Sequence, residues 1–148
     1  MSVHFFPDIR EILLQLKLFR SLDASELEIL LSKAYMIECA AGDYPIREGE
    51  QGDHLFVLLA GKARISKSAK GRQRTIKQLG PGECFGEMSL IECRSRSASV
   101  MALSDCKLLR INAEQIVLFP KIATKVYRNI AILLSQRLRH ANEILTLG

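Results

Sequence analysis

Two residues of opposite charge stand nine positions apart in an apolar, glycine-punctuated stretch: Glu87 and Arg96 within GECFGEMSLIECRSRSASV, residues 82 to 100. An arginine presents a planar fork of donors that matches phosphate oxygens, each charge-assisted bond being worth roughly 1.5 to 3 kcal/mol net. A carboxylate repels phosphate but accepts well from a sugar hydroxyl, so the two side chains can divide a ribose and its phosphate between them. Gly82 and Gly86 release the backbone for close approach by a ligand. Glu87 to Ile91 is long enough for one helical turn whose leading amides would face an anion, and Ser97 adds a hydroxyl and an amide beside the arginine. The competing reading is a structural ion pair between Glu87 and Arg96 that merely holds a loop. The flanking glycines and small residues are surplus to that purpose.

The elements that must carry this stretch can be read from periodicity. Ile9, Ile12, Leu13 and Leu16 recur at helical spacing, and after a break at Phe19 to Leu22 the set Leu27, Leu30, Leu31 and Ala34 does the same. Asp23 with Glu26 three places on predicts a capping box at the start of the second helix. From about Tyr35 the texture changes to short Val, Ile, Leu and Phe runs separated by glycines at 42, 49, 52, 61, 71, 80, 82 and 86, which predicts many short strands joined by tight turns. Leu55 to Leu59 is a continuous apolar strand, and Ala63 to Lys67 alternates. Gly71 reverses a hairpin into Thr75 to Leu79, so an antiparallel sheet with one wet face is expected. Ser97 to Leu103 and Lys107 to Ile111 supply further strands, and Asn112 could cap a short helix from Ala113 to Leu118. Beyond Pro120, the residues Val126, Ile130, Leu134, Leu138, Ala141 and Leu145 form one helical stripe.

The expected fold is mainly β with flanking helices: N-terminal helices over about residues 8–34, a jelly-roll-like β-roll (a double-stranded β-helix of about eight strands) over about 35–111, and C-terminal helices over about 113–146. The 148 residues, 48% of them apolar, make one domain with a single core. The net charge of +5 permits several anionic partners without choosing among them. Cys39, Cys84, Cys93 and Cys106 are scattered, no signal peptide is recognisable, and reduced thiols in the cytoplasm are expected. His4, His54 and His140 follow no ligand spacing, so no metal is expected, and His54 reads as an exposed turn residue. The longest apolar runs fall short of the ~20 residues that cross a bilayer, so no membrane partner is expected. Lys62, Arg64, Lys67, Lys70, Arg72, Arg74 and Lys77 bracket one hairpin. They read as the solvated face of an edge ribbon. Nucleic acid is disfavoured there because aromatic residues are absent.

The stretch from Gly82 to Val100 resembles the phosphate-binding cassette of cyclic nucleotide-binding domains, found in catabolite activator proteins, regulatory subunits of cyclic-nucleotide-dependent kinases and gated channels. LFRSLDASELEILL is similar to that family's leading helix and AGDYPIREGEQGDHLFVLLAGKARI to its strands, so the resemblance covers about residues 18 to 145. It implies a sensor that binds cyclic AMP or cyclic GMP as a ligand, without cofactor or metal. Glu87 would accept from the ribose 2′ hydroxyl and Arg96 would hold the cyclic phosphate. Gly86, Met88, Ser89, Ser97 and Ala98 would line the cradle, with Asn142 (or Ala141) over the base. Arg94 competes with Arg96, but RSAS from Arg96 fits the family's arginine, small residue, alanine pattern.

No nucleophile and base, carboxylate dyad or metal set accompanies the site, so an enzyme is not expected, a cupin-type metalloenzyme included. Catabolite activator relatives carry a helix-turn-helix domain where this sequence stops at Gly148, so a stand-alone sensor acting on an unidentified effector protein is expected. Ligand would move the C-terminal helix, whose apolar stripe serves the core and offers a homodimer seam. The alternatives are a nucleotide-free scaffold of the same fold and, less favoured, a DNA-binding regulator using the basic hairpin.

Overall fold

The computed structural model describes residues 8–87 and 96–147. Helices α1 (Asp8–Gln15) and α2 (Ala24–Ser32) are joined through a 3-10 turn at Lys17–Phe19, and strands β1 (Ala34–Cys39) and β2 (His54–Ala60) follow. Next come β3 (Ala63–Ala69), β4 (Arg72–Leu79), β5 (Cys84–Phe85), β6 (Ser99–Ala102) and β7 (Cys106–Asn112), then α3 (Ala113–Val117) and α4 (Pro120–Leu147). The strands form two antiparallel sheets, ordered β1-β7-β2-β5 and β4-β3-β6, and an isolated bridge from Ile46 to Val100 stitches the connecting segment 40–53 to β6. The architecture is an open two-sheet roll with helices on one side and no closed barrel. Seven strands lie among the described residues, against about eight expected.

Local chemistry sets the boundaries. The Asp23 carboxylate accepts from the Glu26 amide at 2.8 Å while the Glu26 carboxylate accepts from the Asp23 amide at 3.0 Å, so the predicted capping box starts α2. That amide, ahead of a bond from Ser25, holds the Asp23 carboxyl below its usual range. Asn112 caps α3 by accepting from the Glu114 amide at 2.8 Å. The β3–β4 hairpin turns through Lys70 and Gly71, both at positive φ (51° and 76°), as a two-residue primed turn requires.

The expectation of one wet face is corrected by the packing. Strand β2 sends Leu55 and Val57 into a cluster under the helices, and Phe56 and Leu58 into a second cluster between the two sheets. Both faces of the middle of β2 are dry, with Leu108, Leu109 and Ile111 of its neighbour β7 also buried, which is why Leu55 to Leu59 is apolar without alternation. Water meets β4 instead: it lies at a sheet edge, and all but its final residue, Leu79, are exposed.

Helix α4 divides into two parts. Near its start, Ile122, Val126 and Ile130 are buried, the Asn129 side-chain amide donates to the carbonyls of Leu18 (2.9 Å) and Arg20 (2.7 Å), and Lys125 pairs with the buried Glu26 at 2.5 Å. Farther on, the same apolar stripe leaves the core, and Leu138 and Leu145 are 64% and 78% exposed.

Candidate functional site

Arg96 is fixed first by its backbone. Its amide donates to the Glu50 carbonyl at 2.7 Å and its carbonyl accepts from the Gly49 amide at 2.8 Å. Four residues on, the Val100 amide donates to Ile46, while buried Ser99 Oγ accepts from the Glu48 amide at 2.8 Å. The strand-like run 96–100 is thereby laid against 46–50, and the Arg96 side chain is delivered to one place.

That place is a cradle of main chain. Arg96 Nη2 donates to the His54 carbonyl at 2.8 Å and Nη1 to the Gly86 carbonyl at 3.3 Å. The guanidinium lies across Gly52, where a methyl group would fall on its Nε, Cζ and Nη2 atoms. A methyl on Gly86 would come within 2.9 Å of the His54 carbonyl and 3.0 Å of Nη1, and Gly86 is also at positive φ, 81°. Both glycines are therefore space for the arginine. Partial burial lowers the Arg96 pKa, while the charges of Asp53 and Glu87 pull the other way. A partly desolvated cation held in place attracts an anion with little reorganisation, against the repulsion of the two neighbouring carboxylates.

Glu87 follows β5, whose register is set by the pair Phe56 and Phe85, stacked with ring centroids 5.2 Å apart. Its side chain is 15% exposed, and it pairs with Arg137 of α4 at 3.3 Å. The Glu87–Arg96 ion pair that the sequence allowed is not the one formed. Two of the guanidinium's donors go to backbone carbonyls, and the carboxylate turns to the helix instead. Cys84 beside Glu87 has its thiol pushed up to about 12, by burial first and the Glu87 charge second, so it brings no further charge to the site.

Other expected site residues fall less centrally. Ser97 is exposed and Ala98 half-buried, while Met88, Ser89, Arg94 and most of the turn expected over 87–91 lie outside the described residues. Asn142, expected over the base, is exposed, and its carbonyl accepts from Thr146 Oγ1 at 2.8 Å. The residue of α4 that touches Glu87 is Arg137, which the sequence reading did not single out; a contact across 50 positions leaves no local signal. His54 is also corrected. It opens β2, its ring is partly covered beside Phe56 (centroids 6.4 Å), its Nδ1 lies 2.6 Å from Asp53 Oδ1, and its carbonyl holds Arg96. Among the described residues, no group of three or more His, Cys, Asp or Glu could hold a metal, and no helix is long and apolar enough to cross a membrane.

Residues 36–119 match the family described as cyclic nucleotide-binding domain. The chain is 36% identical to the cyclic AMP receptor protein of Thermus thermophilus over 126 residues, 84% of this chain but 58% of that protein. The crystal structure of the Thermus thermophilus catabolite activator protein superposes with a TM-score of 0.79 at 35% identity, over 89% of this chain and 62% of the other. The regulatory domain of Toxoplasma gondii PKA, solved with cAMP, gives 0.77 at 30% identity, over 84% and 48%. The chain thus spans less than two-thirds of these relatives. With the roll, the arginine cradle and this match in place, the chain belongs to the cyclic nucleotide-binding domain family.

Proposed function

We propose that this protein binds cyclic AMP or cyclic GMP reversibly, without chemistry on the ligand, and reports it through α4. The observation that carries this reading is the Arg96 cradle: a partly desolvated guanidinium held by the carbonyls of His54 and Gly86 over Gly52, with Glu87 alongside. Arg96 meets the cyclic phosphate and Glu87 accepts from the ribose 2′ hydroxyl. Because Glu87 already pairs with Arg137, the carboxylate that takes the sugar is tied to the helix that must respond. Ligand shifts α4 only by its differential affinity for the two helix positions. Leu134, Leu138, Ala141 and Leu145 recur at spacings of four, three and four on the half of α4 that leaves the core. That heptad-like stripe is self-complementary, so its occupant is a second copy of the chain. The setting is cytoplasmic, and an effector protein reads the change.

Calorimetric titration with each nucleotide tests the reading. Wild type should bind at least one of them, and Arg96→Ala should weaken it by about 2 to 5 kcal/mol, the range for truncating one partner of a buried charge pair. Its circular dichroism spectrum should stay unchanged, and Arg94→Ala should bind normally. Unchanged affinity in Arg96→Ala overturns the site assignment. No heat and no rise in melting temperature with either nucleotide would favour a nucleotide-free scaffold, a reading supported by Glu87 and Arg96 having protein partners already.

A further inference from the structure

A second chemical feature lies away from the cradle, at the end of the β1–β7 ladder. There Cys39 stands directly opposite Cys106. Residues paired across antiparallel strands put their side chains on the same face, with Cα atoms about 4.5 or 5.5 Å apart according to the hydrogen-bonding class of the pair. Both separations fall inside the window of roughly 4.4 to 6.8 Å that a disulfide spans. The two side chains share the core cluster between the sheets, and both are free thiols, 9% and 4% exposed. The Cys39 thiol is held above its usual range by burial first, then by Asp43, then by Cys106. Cys106 Sγ lies within hydrogen-bonding reach of the carbonyls of Ser104 (3.2 Å) and Lys62 (3.3 Å).

The surrounding backbone holds this register from both sides. Just past Cys39, the Ala41 amide donates to Asp105 Oδ1 at 3.0 Å and the Gly42 amide to the Ala102 carbonyl at 2.7 Å. A bond between the two sulfurs therefore needs side-chain rotation and no slip of strands.

We propose that Cys39 and Cys106 form a reversible cross-strand disulfide, a covalent clasp made by hydrogen peroxide and opened by a dithiol reductant. One sulfur, as thiolate, attacks the peroxide; the O–O bond breaks, leaving a sulfenic acid and hydroxide. The second sulfur, deprotonated, attacks the sulfenic sulfur, the S–O bond breaks and a second hydroxide departs. The two thiol protons convert both hydroxides to water, so two thiols and one peroxide give one disulfide and two waters. Burial holds Cys39 as the neutral thiol, which makes this a slow reaction driven by sustained oxidant. The clasp closes the segment 40–105, which contains both Glu87 and Arg96, into a covalent loop.

The test is peptide mapping of the full chain after peroxide treatment and alkylation of remaining thiols, without reductant. The expected product is one linked species joining the peptides that carry Cys39 and Cys106, lighter by two hydrogens and lost on dithiothreitol. The oxidised chain should melt about 10 °C higher than the reduced one, from the loop it closes. Cys84→Ser should keep both the link and the shift, and Cys39→Ser should lose both. Linkage through Cys84 or Cys93, an intermolecular bond, or irreversible oxidation at Cys39 and Cys106 without a link overturns the proposal. Wild-type mapping decides this even if Cys39→Ser fails to fold.

Discussion

Gly52→Ala should weaken nucleotide binding without replacing any residue whose side chain is expected to contact the nucleotide. Gly52 does not sit at positive φ, so alanine is compatible with its backbone, yet the new methyl falls on the Arg96 guanidinium. The obstacle is the far end of a flexible side chain, so the arginine swings out and the fold stays. Leaving the cradle forfeits the 2.8 Å bond to His54 and the longer 3.3 Å bond to Gly86. One good charge-assisted bond is worth about 1.5 to 3 kcal/mol, and Gly→Ala at a permitted conformation returns about 0.4 to 1 kcal/mol through the unfolded chain. The net destabilisation is about 0.5 to 2.6 kcal/mol, or a melting temperature lower by about 1 to 10 °C. Binding suffers more, because the cation no longer faces the phosphate: a loss of about 2 to 5 kcal/mol, or about 30-fold to several thousand-fold in Kd. Calorimetry and thermal melting read both numbers. Gly80→Ala is the control, since a methyl there meets nothing within 4 Å. The same substitution in an Arg96→Ala background should have no further effect on binding, since both changes remove the same contact. Wild-type affinity in Gly52→Ala, or additive losses in the double variant, would refute the idea that the glycine exists to seat the arginine.

Two further outcomes follow from α4. Arg137→Ala breaks a pair whose arginine is 62% exposed, so it should change stability by no more than about 1 kcal/mol and Kd by less than about fivefold. It should abolish any nucleotide-dependent change in hydrogen exchange over residues 134–147, and retention of that change would show that Glu87 does not transmit through Arg137. Leu138→Glu, on the exposed stripe, should shift the sedimentation coefficient from dimer to monomer with the melting temperature nearly unchanged; an unaltered coefficient argues against a seam on that stripe.

The features legible in the sequence were those encoded within a few residues. Asp23 with Glu26, Asn112 before α3, and Gly71 in the hairpin each place a polar or conformational requirement next to the element it serves. Burial of both faces of β2 was implicit in its unbroken apolar run, yet deciding between one wet face and none needs knowledge of what packs above and below. The cradle was half visible. Arg96 and Gly86 stood out by type, Gly52 only as a turn glycine, and the acceptors of Arg96 are main-chain carbonyls, which any residue supplies, so His54 carried no signal of its part. Arg137 meets Glu87 only because the start of α4 is anchored on Leu18, Arg20 and Glu26, roughly 100 positions away in sequence.

On the proposed reading, the uneven anchoring of α4 would make it a mechanical amplifier. Its last buried hold is Ile130, with Asn129 and Lys125 just before it, and 17 residues run on from there to Leu147. With Ile130 as fulcrum, Arg137 lies ~10 Å along the arm and Leu147 ~25 Å, at 1.5 Å of rise per residue. A sideways step of ~1 Å at Arg137 is therefore magnified to ~2.4 Å at the tip of a stiff rod. A pocket that shifts one carboxylate by the width of a bond can thus displace a distant surface by more than twice as much.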